Sequence, residues 1–222
     1  MKRFLMLAVM LGLSGCSTWD APANFSFSAD GHHGEGLLVG SVTSDDPGQY
    51  FSRTIRIYFD PLAEDSRASQ VELSVNDQCS PGASHYDFVK PCGKLFAVAL
   101  PAGDYTLQKW YTVASIGTKT VYPQRWDGAS VTVQAGKITY VGDIHMVFDD
   151  AIPGGAPAGS RSWPRATDMH ERDLPLLFQK YPNLKPEDVV MQVLELPPPG
   201  RVCVVKQPAM QFSPEVTDCG GP

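Results

Sequence analysis

Between residues 36 and 148 the chain is a succession of short apolar runs separated by turn signals, and no amphipathic pattern of helix length interrupts them. That feature limits the possible folds most. Arg53-Thr54-Ile55-Arg56-Ile57-Tyr58-Phe59 alternates, with Ile55, Ile57 and Phe59 on one face and Thr54, Arg56 and Tyr58 on the other. Period two marks a strand with one buried face. Gln70–Val75 alternates in the same way, while Gly36–Thr43 and Lys94–Leu100 are more continuously apolar. Pro101–Asp104 reads as a turn from which Tyr105–Tyr111 returns. Ser130–Gln134, the turn Ala135-Gly136-Lys137 and Ile138–Phe148 read as a second hairpin. Gly103 and Gly136 supply the freedom to take φ > 0 in these turns. Tyr105 and Tyr140 are placed to bury their rings beside them. Strands at short, regular spacing predict a mainly β chain folded as an antiparallel β-sandwich over residues 29–148.

The N-terminus has a different character. Met1-Lys2-Arg3 is basic, Phe4–Leu13 is apolar, and Leu13-Ser14-Gly15-Cys16 ends in small residues and a cysteine. A basic start, a short apolar core and small residues describe a secretory signal peptide, here residues 1–15. The apolar run falls well short of the roughly 20 residues that a membrane-spanning helix needs. The Leu-Ser-Gly-Cys tetrapeptide resembles the lipobox of bacterial lipoproteins. The resemblance implies that Cys16 becomes the first mature residue and carries acyl chains, and that these chains hold the protein on a membrane. Ser17 stands where an Asp would favour inner-membrane retention in enterobacterial-type sorting, so the resemblance implies the outer membrane; the domain is expected to face the periplasm. Residues 16–28, rich in Ser, Ala, Pro and Asn, are expected to be a tether.

Charge narrows the partners. Without Lys2 and Arg3 the 18 basic residues fall to 16 against 24 acidic ones, a net of −8. No Lys/Arg cluster stands out, which disfavours nucleic acid, because neutralising phosphates supplies most of that affinity. With Cys16 lipidated, Cys79, Cys92, Cys203 and Cys219 remain, an even number in a chain bound for an oxidising compartment. Three pairings are open, and proximity favours Cys79–Cys92 and Cys203–Cys219. Each bridge would contribute about 3 kcal/mol for a loop of about 15 residues. No Cys-x-x-Cys spacing suggests a metal, so neither metal nor cofactor is expected.

Beyond residue 148 the pattern loosens. Residues 149–167, with Ile-Pro-Gly-Gly-Ala-Pro-Ala-Gly-Ser, have linker composition. Asp168 or Asp173 is placed to cap a short helix with Leu174, Leu177, Phe178 and Tyr181 on one face. Pro175 fits only its first turn, and Pro182 ends it. Pro186–Leu196 suits either a helix begun by Pro186 or a strand. Val202–Lys206 reads as an edge strand. Residues 168–222 are thus expected to form a helical segment and a disulfide-closed tail packing on the sandwich.

Two stretches carry a family likeness. Leu95-Phe-Ala-Val-Ala-Leu-Pro-Ala-Gly-Asp-Tyr-Thr-Leu107 resembles the strand–turn–strand hairpin of carboxypeptidase-regulatory-like and PEGA-type domains, which are prealbumin-like β-sandwiches. Val131-Thr-Val-Gln-Ala-Gly-Lys-Ile-Thr-Tyr-Val-Gly-Asp-Ile144 resembles a hairpin of bacterial lipoproteins of that shape. The resemblance covers residues 36–148 and speaks to fold more than to function. It implies a non-catalytic module that accompanies enzymes or envelope machines.

Chemistry-bearing patterns are few. His32-His33-Gly34-Glu35 offers metal-ligand types, but neighbours on an extended chain point to opposite faces. The spacing suits a polar turn better. Asp143 and His145 share a strand face, as a general-base pair would, although a hydrogen bond at the sheet rim explains them as well. No Gly-x-Ser-x-Gly elbow is present. Trp110, Tyr111, Tyr122, Arg125 and Trp126 gather in a long segment and form the candidate binding surface, for a glycan or a protein. The competing account puts Trp110 in the core. The sequence therefore predicts an acyl-anchored, non-catalytic envelope module with an envelope protein partner. A peptidoglycan or glycan binder and a secretion-apparatus subunit are the alternatives.

Overall fold

The computed structural model describes residues 20–27, 34–45, 53–63, 71–76, 86–114, 119–123, 129–149, 161–196, 202–206 and 215–220. For 53, 74–76, 108, 109, 111–114, 119–123, 148, 149, 161, 162, 202–206 and 215–220 it describes backbone alone. The alternating and apolar runs form strands where the sequence places them. These are β1 (Glu35–Ser44), β2 (Arg53–Pro61), β3 (Val71–Asn76), β5 (Cys92–Pro101), β6 (Gly103–Ala114), β8 (Ala129–Val133) and β9 (Ile138–Asp149). Ile55, Ile57 and Phe59 are fully buried, as the alternation requires. Strands β4 (Phe88–Val89), β7 (Lys119–Pro123), β10 (Arg161–Thr167), β11 (Val189–Met191), β12 (Val202–Lys206) and β13 (Glu215–Gly220) complete the set. The one α-helix among the described residues, α1, spans His170–Lys180.

Two sheets result. One runs β10-β9-β1-β5-β4, with β11 also on β9, and the other runs β13-β12-β7-β6-β2-β3, with β8 also on β6. The second sheet is antiparallel throughout. The first is mixed, because β9 runs parallel to both β1 and β11. That departs from the wholly antiparallel expectation, and both predicted hairpins explain why. Neither pair of strands shares a backbone ladder. β5 belongs to the first sheet and β6 to the second; β8 belongs to the second and β9 to the first. Each turn therefore carries the chain across from one sheet to the other. Tyr105 fastens the first crossing by donating its hydroxyl to the Pro101 carbonyl at 2.8 Å. Gly136 takes φ +69° in the second, as expected, whereas Gly103 does not adopt a positive φ.

The larger core draws on both sheets. Leu38, Val42, Phe96, Val98 and Ile144 of the first meet Ile55, Phe59, Leu73, Leu107 and Trp110 of the second. A smaller core lies on the first sheet's other face, where Leu37, Val39, Leu95, Ala97 and Tyr140 meet Leu177 and Tyr181 of the helix segment.

Several expectations about the ends of the chain need correction. Residues 20–27 are not a free tether. Ala21 donates its N–H to Ala97 O at 2.7 Å, and Phe25 is buried in the smaller core. Nor is 149–167 all linker, since β10 pairs with β9 from Arg161↔Asp149 to Thr167↔Asp143. Val202–Lys206 is not an edge, because β12 lies between β7 and β13. Pro175 sits inside α1 rather than in its first turn. The ambiguous stretch divides, with a 3-10 turn over Pro186–Asp188 followed by β11.

Candidate functional site

The first sheet contains a bend that sets its chemistry. Opposite Gly40, β9 carries an extra residue, so the register passes from Val39↔Tyr140 to Ser41↔Asp143. This β-bulge falls at Gly142, whose φ of +92° favours glycine. A side chain at Gly142 would lie 2.8 Å from the Thr167 carbonyl oxygen, and one at Gly40 would lie 2.6 Å from that of Gly142. Beyond the bulge, Ser41 and Thr43 of β1 and Asp143 of β9 are buried polar residues, and Asp173 of α1 is fully buried against them.

These groups form one hydrogen-bonded cluster. Thr43 Oγ1 lies 2.9 and 2.8 Å from the two Asp143 carboxyl oxygens. Tyr140 donates its hydroxyl to Asp173 Oδ2 at 2.9 Å and accepts the Met169 N–H at 3.2 Å. Arg172 donates Nε to Asp173 Oδ1 and Nη2 to Ser41 Oγ, each at 2.7 Å. Its guanidinium stacks on the Phe88 ring at 4.0 Å. Arg172 Nη1 is buried and finds no acceptor among the described residues, so the ring is the compensation the structure offers. At the outer end, Thr43 Oγ1 shares a 2.9 Å hydrogen bond with His145 Nδ1, and His145 Nε2 faces Asp45 at 3.6 Å.

Ser41 Oγ lies 2.9 Å from Asp143 Oδ1 and 2.8 Å from Asp173 Oδ2, so its single hydrogen is contested by two carboxyls. The surroundings raise the Asp143 carboxyl. Burial pushes it above the usual carboxylate range, against the opposing pull of Thr43, Arg172 and Ser41, and the nearby Asp173 charge adds to the rise. Tyr140 is raised by burial first and by Asp173 second, so its phenol remains a donor. Burial works against the Arg172 charge, but Asp173 and then Asp143 outweigh it and raise its pKa.

The arrangement joins α1 to the sheet. Ser41, the buried hydroxyl, is already engaged with Arg172 and both carboxyls, and His145 bonds Thr43 rather than Ser41. No serine is therefore activated by an imidazole within the cluster. Asp143 and His145 do come together, but through Thr43, which sequence reasoning did not single out. Ser41, Asp173, Arg172 and Tyr140 were likewise missed as a group. Polar residues inside β1 and a charged pair in the helix's first turn were the available signal.

The other predicted site residues are scattered. Trp110 is 1% exposed and belongs to the larger core, so it leaves the candidate binding surface. Its neighbours in the alternating strand make this the expected fate of a large ring at an inward position. Tyr111 pairs with Arg56 and Tyr122 with Cys203 by backbone register, while Arg125 and Trp126 lie outside the described residues. Cys92 is buried and disulfide-bonded. Cys16, Cys79, His32 and His33 lie outside the described residues. Cys203 stands directly opposite Cys219 in the β12–β13 register. Among the described residues no three His, Cys, Asp or Glu side chains are grouped to hold a metal, and no helix is long and apolar enough to cross a membrane.

No protein-family model and no curated protein matches the chain. Among solved structures, it is similar to a leucine-rich repeat protein from Bacteroides thetaiotaomicron VPI-5482 at 16% identity and a TM-score of 0.27. The match covers 51% of this chain and 14% of that one, a likeness too distant to carry fold or function across.

Proposed function

We propose that the protein is an acyl-anchored lipoprotein of the bacterial cell envelope and that its folded part is a non-catalytic binding or assembly module. The observation that carries this is the sequence Leu13-Ser14-Gly15-Cys16 directly after the apolar run Phe4–Leu13. Two or more acyl chains anchor stably, since each buried methylene contributes about 0.8 kcal/mol. Ser17 favours the outer membrane by its resemblance to enterobacterial-type sorting, and the domain is proposed to face the periplasm. The shared core of the two sheets favours a prealbumin-like β-sandwich, and the parallel β1–β9 pair is its departure from a wholly antiparallel one. Cys203 opposite Cys219 favours that disulfide, because directly paired cross-strand residues have the Cα spacing a disulfide needs. Cys79 is the proposed partner of Cys92.

The non-catalytic reading rests on the engaged state of the buried hydroxyl and carboxyl groups. It favours an assembly role over glycan binding, because Trp110 is unavailable to stack on a sugar. Photo-crosslinking of the lipidated protein in cells tests this. One dominant envelope protein is expected. A diffuse set of abundant proteins would count against an assembly role. The Cys16→Ser variant tests the anchor: it should stay unprocessed or leave the membrane fraction. If it is processed and still membrane-bound, the anchor is refuted.

A further inference from the structure

The docked N-terminal segment decides how the domain meets its membrane, if Cys16 is the anchor as proposed above. Asp20 forms a parallel bridge with Ala97 of β5, and its carboxylate pairs with Lys94 at 2.7 Å. Ala21 then bonds Ala97, Phe25 is buried, and the Asn24 carbonyl accepts from the Asn183 side chain. The chain is therefore fixed to the fold over residues 20–27. Four residue steps separate Asp20 from Cys16 and span at most roughly 14 Å. That reach is less than half of β5, whose ten residues extend roughly 33 Å. A domain held so closely cannot stand off from the bilayer or turn freely above it.

Asp20 and Ala21 lie along the edge of β5 that β4 leaves open. The same edge carries the β4–β5 turn. Val89, at 60%, is the most exposed large apolar residue among the described ones, and Lys90 beside it is exposed as well. The acidic groups described at this edge are matched by cations. Asp20 pairs with Lys94, and Asp87 pairs with Lys180. An apolar tip beside a lysine, with its acids neutralised, suits the interface of an anionic bilayer even though the chain as a whole is acidic. The opposite edge of the sheet is β11, four strand spacings or roughly 19 Å away. We propose that the β4–β5 edge, with Val89 and Lys90 at its tip, lies against the bilayer that holds Cys16, and that the β11 edge faces away from it.

The test uses the full-length lipidated protein in vesicles of phosphatidylethanolamine and phosphatidylglycerol that contain headgroup-nitroxide lipid. A fluorescent amino acid is placed at Val89 or at Met191, an exposed residue of β11. Flotation of both labelled proteins with the vesicles is measured first. The expected result is flotation, strong loss of fluorescence at position 89 and little or none at 191. Inserting about 20 Gly/Ser residues after Ser17 adds roughly 25 Å of mean reach. It should preserve flotation and abolish the difference between the two positions. Flotation with equal quenching, or with more at 191, overturns the orientation and leaves the anchor standing. Failure to float overturns the anchor and the orientation together.

Discussion

Asp143 carries the clearest consequence at the scale of single residues. Its carboxyl is raised in the fold, so folding favours the protonated form at this position. The stability it contributes is fully present below the unfolded value near ~3.9 and is lost as pH rises through the folded-state value. The groups facing it are Arg172 and Asp173 from α1, Ser41 and Thr43 from β1, and His145 through Thr43. Asn at 143 copies the protonated acid, accepting from Thr43 and donating to Ser41 Oγ. Asp143→Asn should therefore have an unfolding midpoint at least as high as the natural protein's above neutral pH. It should also lose part of the decline in stability as pH rises above the unfolded value. Thermal unfolding followed as a function of pH decides it. A variant that is uniformly less stable, with the decline unchanged, would show that Asp143 is ionised in the fold. None of this was legible from sequence beyond the Asp143–His145 spacing. The cluster depends on Ser41 and Asp173, which are 132 residues apart.

At the scale of elements, the bulge at Gly142 is the point on which the first sheet turns. It divides the outer edge of β9 between two neighbours, β11 before the bulge and β10 after it. It also brings Asp143 into register with Ser41. Gly142→Ala forces a side chain into a positive-φ position and to within 3.0 Å of both the Thr167 carbonyl oxygen and Val193 Cγ1. A loss of about 1–3 kcal/mol is expected, read from denaturant unfolding. A loss within about 0.5 kcal/mol would mean that the bulge is readily rebuilt. The strands that alternate or run apolar were legible because period two survives in one sequence. The partners of those strands were not. Lys94–Leu107 and Ser130–Phe148 have the same strand–turn–strand pattern that a hairpin would have. Only the long-range pairing of β5 with β1 and of β9 with β1 reveals them as crossings. β10 was hidden because Trp163 and Pro164 sit within linker-like composition, and its place is set by β9 rather than by its own pattern.

At the scale of the whole molecule, the first and last described segments are built into the fold. Asp20–Phe27 covers part of the β5 edge and the smaller core, and β12 and β13 extend the second sheet. Composition suggested a tether and a tail at these places, because Ser, Pro and Gly are common in loops, yet a few buried side chains such as Phe25 suffice to dock a segment. If Cys16 is the anchor proposed above, the docked Asp20–Phe27 segment leaves only a short connection to it, a geometry suited to presenting one fixed face at the membrane. The mass of the N-terminal peptide of the mature protein, purified from cells, tests the proposed acylation of Cys16. The expected result is a peptide beginning at Cys16 that carries a diacylglycerol and an amide-linked acyl chain. A mature N-terminus elsewhere, or Cys16 without lipid, would contradict the account.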